Sequence, residues 1–369
     1  MKRWMFLGWV SGICIVLTFV LIALMPESGD AQPKIELSYN INYNSVQIPG
    51  KYCLYFADQI NKATNGRVKV TVYPAGTISA PEAVYQTVLT GVADMGQHTT
   101  TYTPGQFLAI EATHVPYTFP DGWVSSKVNT DFVNHFNPKS NSDTKFLFAA
   151  APGPYVLHTF KKAGADITKV SEMKGKRIRV TGALGTNLVK TWGAIPISIT
   201  VNETYEAALK GLVDGTLLPI EVQKGFNLAD VSRSITLLPF GFCTSNVGVM
   251  NLKKWDSLPK DIQDIILKVA ADMPDKAGKA WWYSDLVALD YFASKGGKVL
   301  TPSAEDAKGW LEAVKPIIDD YIARANAAGL PGAEYVKYIQ DRGKHWTDNH
   351  TAKKDETLAW GEKELLPLK

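Results

Sequence analysis

The sequence predicts an α/β protein built from two lobes. Three observations lead to this prediction: short strands alternate with amphipathic helices in two separate stretches, the N-terminus has the features of an export signal, and no catalytic motif is recognisable. The length of 369 residues suits two domains of ordinary size. A hydrophobic content of 46% with 20% charged residues is typical of an ordered chain.

The first 31 residues form the predicted export signal. Two basic residues, Lys2 and Arg3, precede a long apolar run, and Gly29 and Ala31 supply small side chains before a cleavage point. We therefore expect residues 1–31 to be a signal peptide that directs the chain to the periplasm and is cut after Ala31. The apolar run is also long enough to span a bilayer, so the alternative is an uncleaved N-terminal anchor.

The first α/β unit follows the export signal. Residues 35–41 have the composition of a strand, and 67–74 alternate apolar and polar residues with period two, as a half-covered strand does. Between them, residues 50–66 place apolar side chains at helical spacing and end in glycine, which predicts a helix. Residues 80–96 predict a second helix and then a short strand. This β-α-β-α-β order indicates a mostly parallel sheet with crossover helices.

The second α/β unit repeats this alternation. Residues 176–181 predict a strand, 184–193 a helix and 196–200 another strand. Apolar residues recur with the helical period over residues 202–213, and 246–251 predict a third strand. Beyond that strand the chain is predicted to be nearly all helical, over the segments 260–296, 303–326 and 332–341.

Two cysteines, Cys53 and Cys243, remain after cleavage of the predicted leader. An oxidising compartment permits a disulfide, whereas a chain of this length needs no such cross-link. The sequence leaves open whether the two residues pair or stay as buried thiols.

The segment "RIRVTGALG" (177–185) contains the first candidate for binding. Arg177 and Arg179 alternate with apolar residues, so both lie on one face of the predicted strand. A buried strand face rarely holds guanidinium groups unless a negative charge neutralises them. The pattern therefore raises the question of which anion these arginines meet.

Several function classes are disfavoured by the sequence. The net charge of +3, without any run of basic residues, argues against binding to nucleic acid. Apart from a loose pair at 345 and 350, the histidines lack metal-ligand spacing, and the H-E-x-x-H, G-x-S-x-G and P-loop motifs are missing. We therefore expect no enzymatic activity.

Five segments in order resemble the extracytoplasmic solute-binding subunits of tripartite ATP-independent periplasmic (TRAP) transporters, the DctP-like family. The likeness covers most of the mature chain, and each segment alone is a weak match. The segments are "FADQINKATNGRVKVTVYPAGTIS", "VLTGVADMGQHTTTYTPGQF", "MKGKRIRVTG", "GAIPISITVNETYEAALKGLVDG" and "VMNLKKWDSLPKDIQDII".

The resemblance implies a two-lobed, periplasmic-binding-protein-like fold in which crossing strands and a long bracing helix join two α/β domains. Lobe I would comprise 32–155 plus about 244–283. Lobe II and the bracing helices would comprise about 156–243 plus 284–345, and 346–369 would form a C-terminal tail. We expect a ligand in the cleft between the lobes, at the carboxyl ends of the strands.

The resemblance also implies the role of one arginine. In the family, the arginine of the Lys-Ile-Arg-Val strand pairs with the carboxylate of an organic acid, and the matching residue here is Arg179. The family's acidic residue and asparagine before Pro219 are replaced by Leu217 and Leu218, which favours a monocarboxylate with an apolar or aromatic body. Glu221 is a candidate to orient Arg179 or to accept a hydrogen bond. Further candidates for the cleft wall are Tyr155, His158, Gln97, His98, Thr99 and Asn246.

The implied function is periplasmic binding of a small organic acid and its delivery to TRAP membrane subunits, with lobe closure over the ligand. We expect a monomer and no cofactor, although some relatives hold a cation beside the ligand, and Glu221 would then be a ligand of that cation. The alternatives are a periplasmic sensing protein of a signalling system and, with less support, an exported enzyme.

Overall fold

The computed structural model describes residues 35–369. The predicted signal peptide, with its cleavage after Ala31, lies outside the described residues. Within the described range, no helix combines the length and the apolar character needed to cross a membrane.

The described chain alternates strands and helices and then becomes helical. The strands are β1 (Ile35–Ile41), β2 (Val68–Tyr73), β3 (Met95–Thr99), β4 (Thr144–Ala150), β5 (Val156–Phe160), β6 (Arg177–Val180), β7 (Ile195–Ser198), β8 (Gly215–Leu218), β9 (Ser232–Thr236), β10 (Asn246–Asn251) and β11 (Lys298–Leu300). The helices are α1 (Ile48–Ala63), α2 (Val84–Leu89), α3 (Gly122–Phe136), α4 (Gly182–Thr191), α5 (Thr204–Lys210), α6 (Val222–Gly225), α7 (Leu252–Asp256), α8 (Lys260–Ser294), α9 (Ala304–Ala327), α10 (Gly332–Asp348) and α11 (Lys354–Trp360).

Two mixed sheets form the centres of two lobes. The sheet of lobe I has the order β2-β1-β3-β10-β4, and the sheet of lobe II has the order β11-β9-β5-β8-β6-β7. The other paired strands run parallel, but β10 is antiparallel to both of its neighbours, and so is β5. The sequence predicts mostly parallel sheets. The difference arises because β5 and β10 each enter their sheet directly from the other lobe, without a crossover helix.

The chain passes between the lobes through two short connections and one helix. It leaves lobe I after Ala150 and enters lobe II at Val156, and it returns between Thr236 and Asn246. The predicted lobe boundaries at 155 and 243 fall in these connections, and the one near 283 falls inside α8. Helix α8 contacts α1, α3 and β4 in lobe I and α6 and β11 in lobe II, so it lies against both lobes.

Helix α3 packs closely on α8. The Asp121 side chain begins α3 by accepting hydrogen bonds from the amides of Trp123 (2.9 Å) and Val124 (3.1 Å). At Gly278 on α8, an added Cβ would lie 2.9 Å from the Cα of Trp123. Glycine is therefore required for the two backbones to approach this closely.

Cys53 and Cys243 are free, buried thiols. They belong to different apolar clusters, that of Cys53 beside the lobe I sheet and that of Cys243 at the junction of the lobes. Burial raises the pKa of both thiols, so neither is a ready nucleophile.

The last residues differ from the expected tail, since several of them pack on lobe I. Leu365 is fully buried, and the Lys51 ammonium donates hydrogen bonds to the carbonyls of Leu366 (3.2 Å) and Leu368 (2.6 Å). His350 Nε2 lies 2.8 Å from Asp121 Oδ2, at the start of α3. Residues beyond α10 therefore complete lobe I.

The contact between His350 and Asp121 predicts a pH-dependent contribution to stability. The hydrogen bond to Asp121 raises the pKa of His350, while burial opposes the rise. A raised pKa means that the stabilisation is fully present below the unfolded value near 6.5 and is lost as the pH rises through the folded value. We expect His350→Gln to lower the free energy of unfolding by about 1 kcal/mol more at pH 5.5 than at pH 8.5. Urea unfolding at the two pH values measures this.

His345→Gln is the matched control, because His345 is exposed and has no ion pair among residues 35–369. If His350→Gln lowers the free energy of unfolding equally at both pH values, the imidazole at this contact is not charged.

Candidate functional site

A small cavity lies between the two lobes. Lobe I contributes residues just after β1 and at the end of β3, and lobe II contributes residues at the ends of β6 and β8. The cavity thus lies where the carboxyl ends of strands from both sheets meet, which is the usual location of ligands in α/β folds. Tyr43, Tyr102 and Tyr155 line it, together with the ionisable side chains of Arg179 and Glu221.

Arg179 is a buried cation at the cavity wall. Its side chain, on β6, is 1% exposed, and its Nε donates a hydrogen bond to the Ile199 carbonyl at 2.9 Å. The carbonyl of Arg179 accepts a hydrogen bond from Thr216 Oγ1 (3.2 Å), which fixes the strand on its β8 side. Among the described residues, no carboxylate forms an ion pair with Arg179. The protein therefore buries this guanidinium without a direct ion pair, and Glu203 acts on its charge only from a longer distance.

Arg177 differs from Arg179 although both lie on β6. Its guanidinium binds Asp214 through two hydrogen bonds, Nε to Oδ2 at 3.1 Å and Nη2 to Oδ1 at 2.7 Å. The side chain is 41% exposed, so this pair is a surface interaction. Arg177 thus has a structural partner inside the protein.

Glu221 lies in the cavity wall just beyond Pro219. It is 4% exposed, and its backbone amide donates a hydrogen bond to Asp285 Oδ1 on α8 at 2.9 Å. Burial raises the pKa of Glu221 well above its ordinary value, and the nearby charge of Asp285 adds to the rise. Burial also raises the pKa of Asp285 to about 7, although the Glu221 amide opposes that rise. Two carboxyl groups are therefore held where ionisation is costly.

A network of hydroxyl groups supports the lobe I side of the cavity. Asn246 Oδ1 accepts hydrogen bonds from the Tyr43 hydroxyl (3.0 Å) and from Thr99 Oγ1 (2.7 Å). The Tyr155 hydroxyl lies 2.8 Å from Thr244 Oγ1. Tyr155 and Thr99 line the cavity, whereas Asn246 lies one layer behind it and orients the wall.

The structure places four of the candidate residues outside the cavity lining: Asn246, Gln97, His98 and His158. Gln97 is buried and accepts a hydrogen bond from the Tyr39 hydroxyl at 3.2 Å. His98 packs between the rings of Tyr85 and Phe107. Gln97 and His98 lie within β3 rather than in the loop after it, and their side chains point into the core on its two faces.

His158 has a structural role within the lobe II sheet. Its Nε2 lies 3.0 Å from the Leu218 carbonyl, which can only accept, so Nε2 donates. Its Nδ1 then accepts the hydrogen bond from Gln223 Nε2. Burial lowers the pKa of His158 to about 4, so the ring is neutral and fully used inside the protein.

Apolar side chains that the sequence analysis did not select line much of the cavity. They come from a loop, a short helix and the middle of α8: Val201, Val222, Phe226 and Trp281. Leu218, which was selected, joins them, whereas Leu217 points to the opposite side of β8 and is core. Tyr43 could have been predicted as a cavity residue, because it lies just after the carboxyl end of β1. Nothing in the periodicity of α8 marks Trp281 as a cavity residue.

Hydrogen bonds cross the cleft between the lobes. Gln47 Nε2 of lobe I donates to the Gly225 carbonyl of lobe II at 2.8 Å, and the Val201 amide of lobe II donates to the Tyr102 hydroxyl at 3.3 Å. The Leu184 amide, at the start of α4, donates to Glu111 Oε1 at 3.2 Å. The described conformation is therefore one in which the lobes are closed on each other.

No group of three or more His, Cys, Asp or Glu residues between 35 and 369 is placed to hold a metal ion. In the cavity lining, Glu221 is the acidic side chain. The expectation of no cofactor, with a cation beside the ligand left open, stays a prediction.

The sequence matches a known family over most of its length. The family model described as bacterial extracellular solute-binding protein, family 7 (DctP) matches residues 40–325. The C4-dicarboxylate-binding periplasmic protein DctP of Rhodobacter capsulatus is 24% identical over 283 residues, which are 75% of this chain and 84% of that protein. A solute-binding protein of Albidiferax ferrireducens is 23% identical over 277 residues, 73% of this chain and 80% of its own length.

Solved structures share the fold. A marine metagenome TRAP solute binding protein from an unidentified microbe, specific for aromatic acid ligands, superposes with a TM-score of 0.80 at 23% identity, covering 85% of this chain and 99% of its own. A TRAP solute binding protein from Rhodoferax ferrireducens, in complex with copurified benzoate, gives 0.81 at 20% identity and covers 86% and 99%. At these identities the similarity establishes the two-lobed fold.

His98 predicts a measurable loss of stability in acid. Burial lowers the pKa of His98 to about 3, and neither ring nitrogen has a hydrogen-bond partner among the described residues. With a lowered pKa, stability is fully present above the unfolded value near 6.5 and falls as the pH drops below it. When the pH falls from 7.5 to 5, His98 should lower the free energy of unfolding by about 2 kcal/mol. We expect the free energy of unfolding of His98→Leu to fall less in acid than that of wild type, by about this amount. Urea unfolding at the two pH values measures the difference.

Exposed His345→Leu is the control and should leave the difference between the two pH values unchanged. An unaltered pH dependence in His98→Leu would mean that the imidazole is not held neutral in the core.

Proposed function

Since the chain belongs to family 7 of the bacterial extracellular solute-binding proteins, the DctP family of TRAP transporter subunits, we propose that it binds a small organic monocarboxylate through Arg179. As a member of this family it is a solute-binding subunit for TRAP transport. The chemical class of the solute and the residue that holds it are our proposal.

The buried state of Arg179 is the observation on which the proposal depends. A guanidinium that is 1% exposed and has no carboxylate partner among the described residues is costly in free energy. A solute carboxylate provides the missing charge and fits the planar fork of N–H donors with two parallel hydrogen bonds. Such a solute would lie at the carboxyl ends of β6 and β8, against Thr181 and Tyr155.

The body of the proposed solute is apolar or aromatic. Leu218, Val201, Phe226 and Trp281 are apolar residues of the cavity lining, and burial of an apolar ligand surface against them is favourable. Similar proteins of known structure bind aromatic acids, copurified benzoate and mandelate. These ligands belong to those proteins, and they support the choice of aromatic carboxylates as the first compounds to test.

The proposed mechanism is binding by lobe closure. In an open form the solute would reach Arg179, and rotation about the two connections and α8 would bring the lobes together. The cross-lobe hydrogen bonds of Gln47 and Tyr102 belong to the closed form. We propose that TRAP membrane subunits recognise this form in the periplasm, the compartment named for the Rhodobacter capsulatus relative.

The first test of the proposal is the loss of ligand on substitution of Arg179. We expect Arg179→Lys and Arg179→Ala to weaken carboxylate binding, because each removes the bidentate fork, and Ala also strands a buried anion at about 3–5 kcal/mol. For Ala this corresponds to a loss of roughly a hundredfold to several thousandfold in affinity. Native mass spectrometry of the gently purified protein, followed by calorimetric titration with the acid it releases, measures the loss.

Arg177→Lys is the matched control, because Arg177 lies on the same strand but pairs with Asp214. Retention of the same acid by wild type and Arg179→Ala would exclude Arg179 as the binding residue. A wild type that carries no acid and gains no thermal stability from any carboxylate would argue for a sensing protein or an enzyme.

A second test concerns closure. Gln47 Oε1 accepts a hydrogen bond from the Asn44 amide, and both residues belong to lobe I. The bond from Gln47 Nε2 to Gly225 exists only when the lobes meet. We therefore expect Gln47→Ala to raise the ligand dissociation rate about twofold to tenfold, with little change in the association rate. Stopped-flow tryptophan fluorescence measures both rates.

Exposed Gln86→Ala serves as the control for general effects of a lost glutamine. An unchanged dissociation rate in Gln47→Ala would show that this contact does not hold the closed form.

A further inference from the structure

Glu221 is a cavity residue to which the proposed function assigns no role. We propose that Glu221 determines specificity, because it accepts a hydrogen bond from a hydroxyl or amino group of the solute and excludes a second carboxylate. This inference rests on the proposed function, since it takes the solute carboxylate to be at Arg179.

The Glu221 carboxyl faces the cavity without a protein donor. It is 4% exposed, and no N–H or O–H group of the described residues donates to its carboxyl oxygens. Its backbone is already held, because the amide donates to Asp285 Oδ1 at 2.9 Å. Its Oε2 packs directly against Gly225, where any Cβ would collide with it. The carboxyl is therefore fixed in place with its acceptor capacity unused.

Charge in the cavity argues for a solute with one negative charge. Arg179 is the cation in the lining, and one carboxylate neutralises it. A second carboxylate on the solute would face Glu221, with Asp285 just behind and no second cation in the lining that the described residues form. Like charges that meet in a desolvated cavity repel strongly. A dicarboxylate is thus disfavoured in this chain.

The unused acceptor argues for a donor on the solute. A carboxyl group keeps at least one acceptor oxygen whether it is ionised or protonated, so a hydroxyl or amino group is matched in both states. A solute without such a donor would leave the buried carboxyl of Glu221 without any hydrogen bond, which costs binding free energy. Sites of this kind discriminate strongly against analogues that lack the donor.

A matched series of benzoates tests the inference, because its members differ only in the substituent at ring position 3 or 4, and the two positions sample different distances from the carboxylate. The series is benzoate, 3- and 4-hydroxybenzoate, 3- and 4-aminobenzoate, and 3- and 4-carboxybenzoate. We expect wild type to bind its best hydroxy or amino member at least about tenfold more tightly than benzoate, and to bind both dicarboxylates more weakly than benzoate. Calorimetric titration of each member gives these ratios.

Two variants at the same position identify the source of the preference. Glu221→Leu removes the acceptor, so the ratio between the best substituted member and benzoate should fall to about one. Glu221→Gln removes the charge but keeps an acceptor, so it should retain the preference for a hydroxyl group and bind the dicarboxylates at least about tenfold more tightly than wild type does. The melting temperature of each ligand-free variant establishes that it is folded.

The outcomes separate this inference from the proposed function. Equal binding of benzoate and its hydroxy and amino derivatives by wild type, or a preference that survives in Glu221→Leu, overturns the role of Glu221. If Arg179→Lys still abolishes binding in that case, the proposed carboxylate site stands. Failure of every member of the series to bind wild type overturns both the aromatic solute and the inference that rests on it.

Discussion

The burial of one guanidinium without a protein counter-charge is the constraint on which the cavity depends. Arg179 lies at the end of β6, and its fixed neighbour is the carbonyl of Ile199. The rest of its hydrogen-bonding capacity faces a space bounded by both lobes. Burying a cation without an opposite charge costs free energy, and a bound anion offsets that cost. Arg177, two residues earlier, gives the contrast, because its carboxylate partner lies within the protein.

Helix α8 connects this local constraint to the architecture. The same 35-residue helix approaches α3 at Gly278, contributes Trp281 to the cavity and holds the Glu221 amide through Asp285. Its contacts reach elements of both lobes. A change in the angle between the lobes therefore shifts the apolar wall and the Glu221 turn together. Occupancy of the cavity and the relative position of the lobes are thus physically linked.

The sequence predicts elements well where apolar residues recur with a clear period and poorly where they form an unbroken run. The strand at 246–251 has the predicted bounds, and the predicted helix 260–296 is α8, Lys260–Ser294. Strand β4 was not predicted, because a continuous apolar run has no diagnostic period. For the site, Arg179 stood out as a charge within an apolar strand. Trp281 did not stand out, because tertiary packing determines which side of α8 is turned toward the cleft.

The C-terminal segment has a consequence for how the chain folds. Lys51, on the first helix, bonds to the carbonyl of Leu368, so one contact of lobe I joins residues 317 positions apart. Lobe I also cannot be completed without β10 and α8. In the chain, these two elements come after every strand of the lobe II sheet except β11. A polypeptide synthesised from its N-terminus can assemble most of lobe II before lobe I has all its parts. The unfinished lobe then exposes sheet edges and apolar surface until the last residues emerge, which is the period of greatest risk of aggregation.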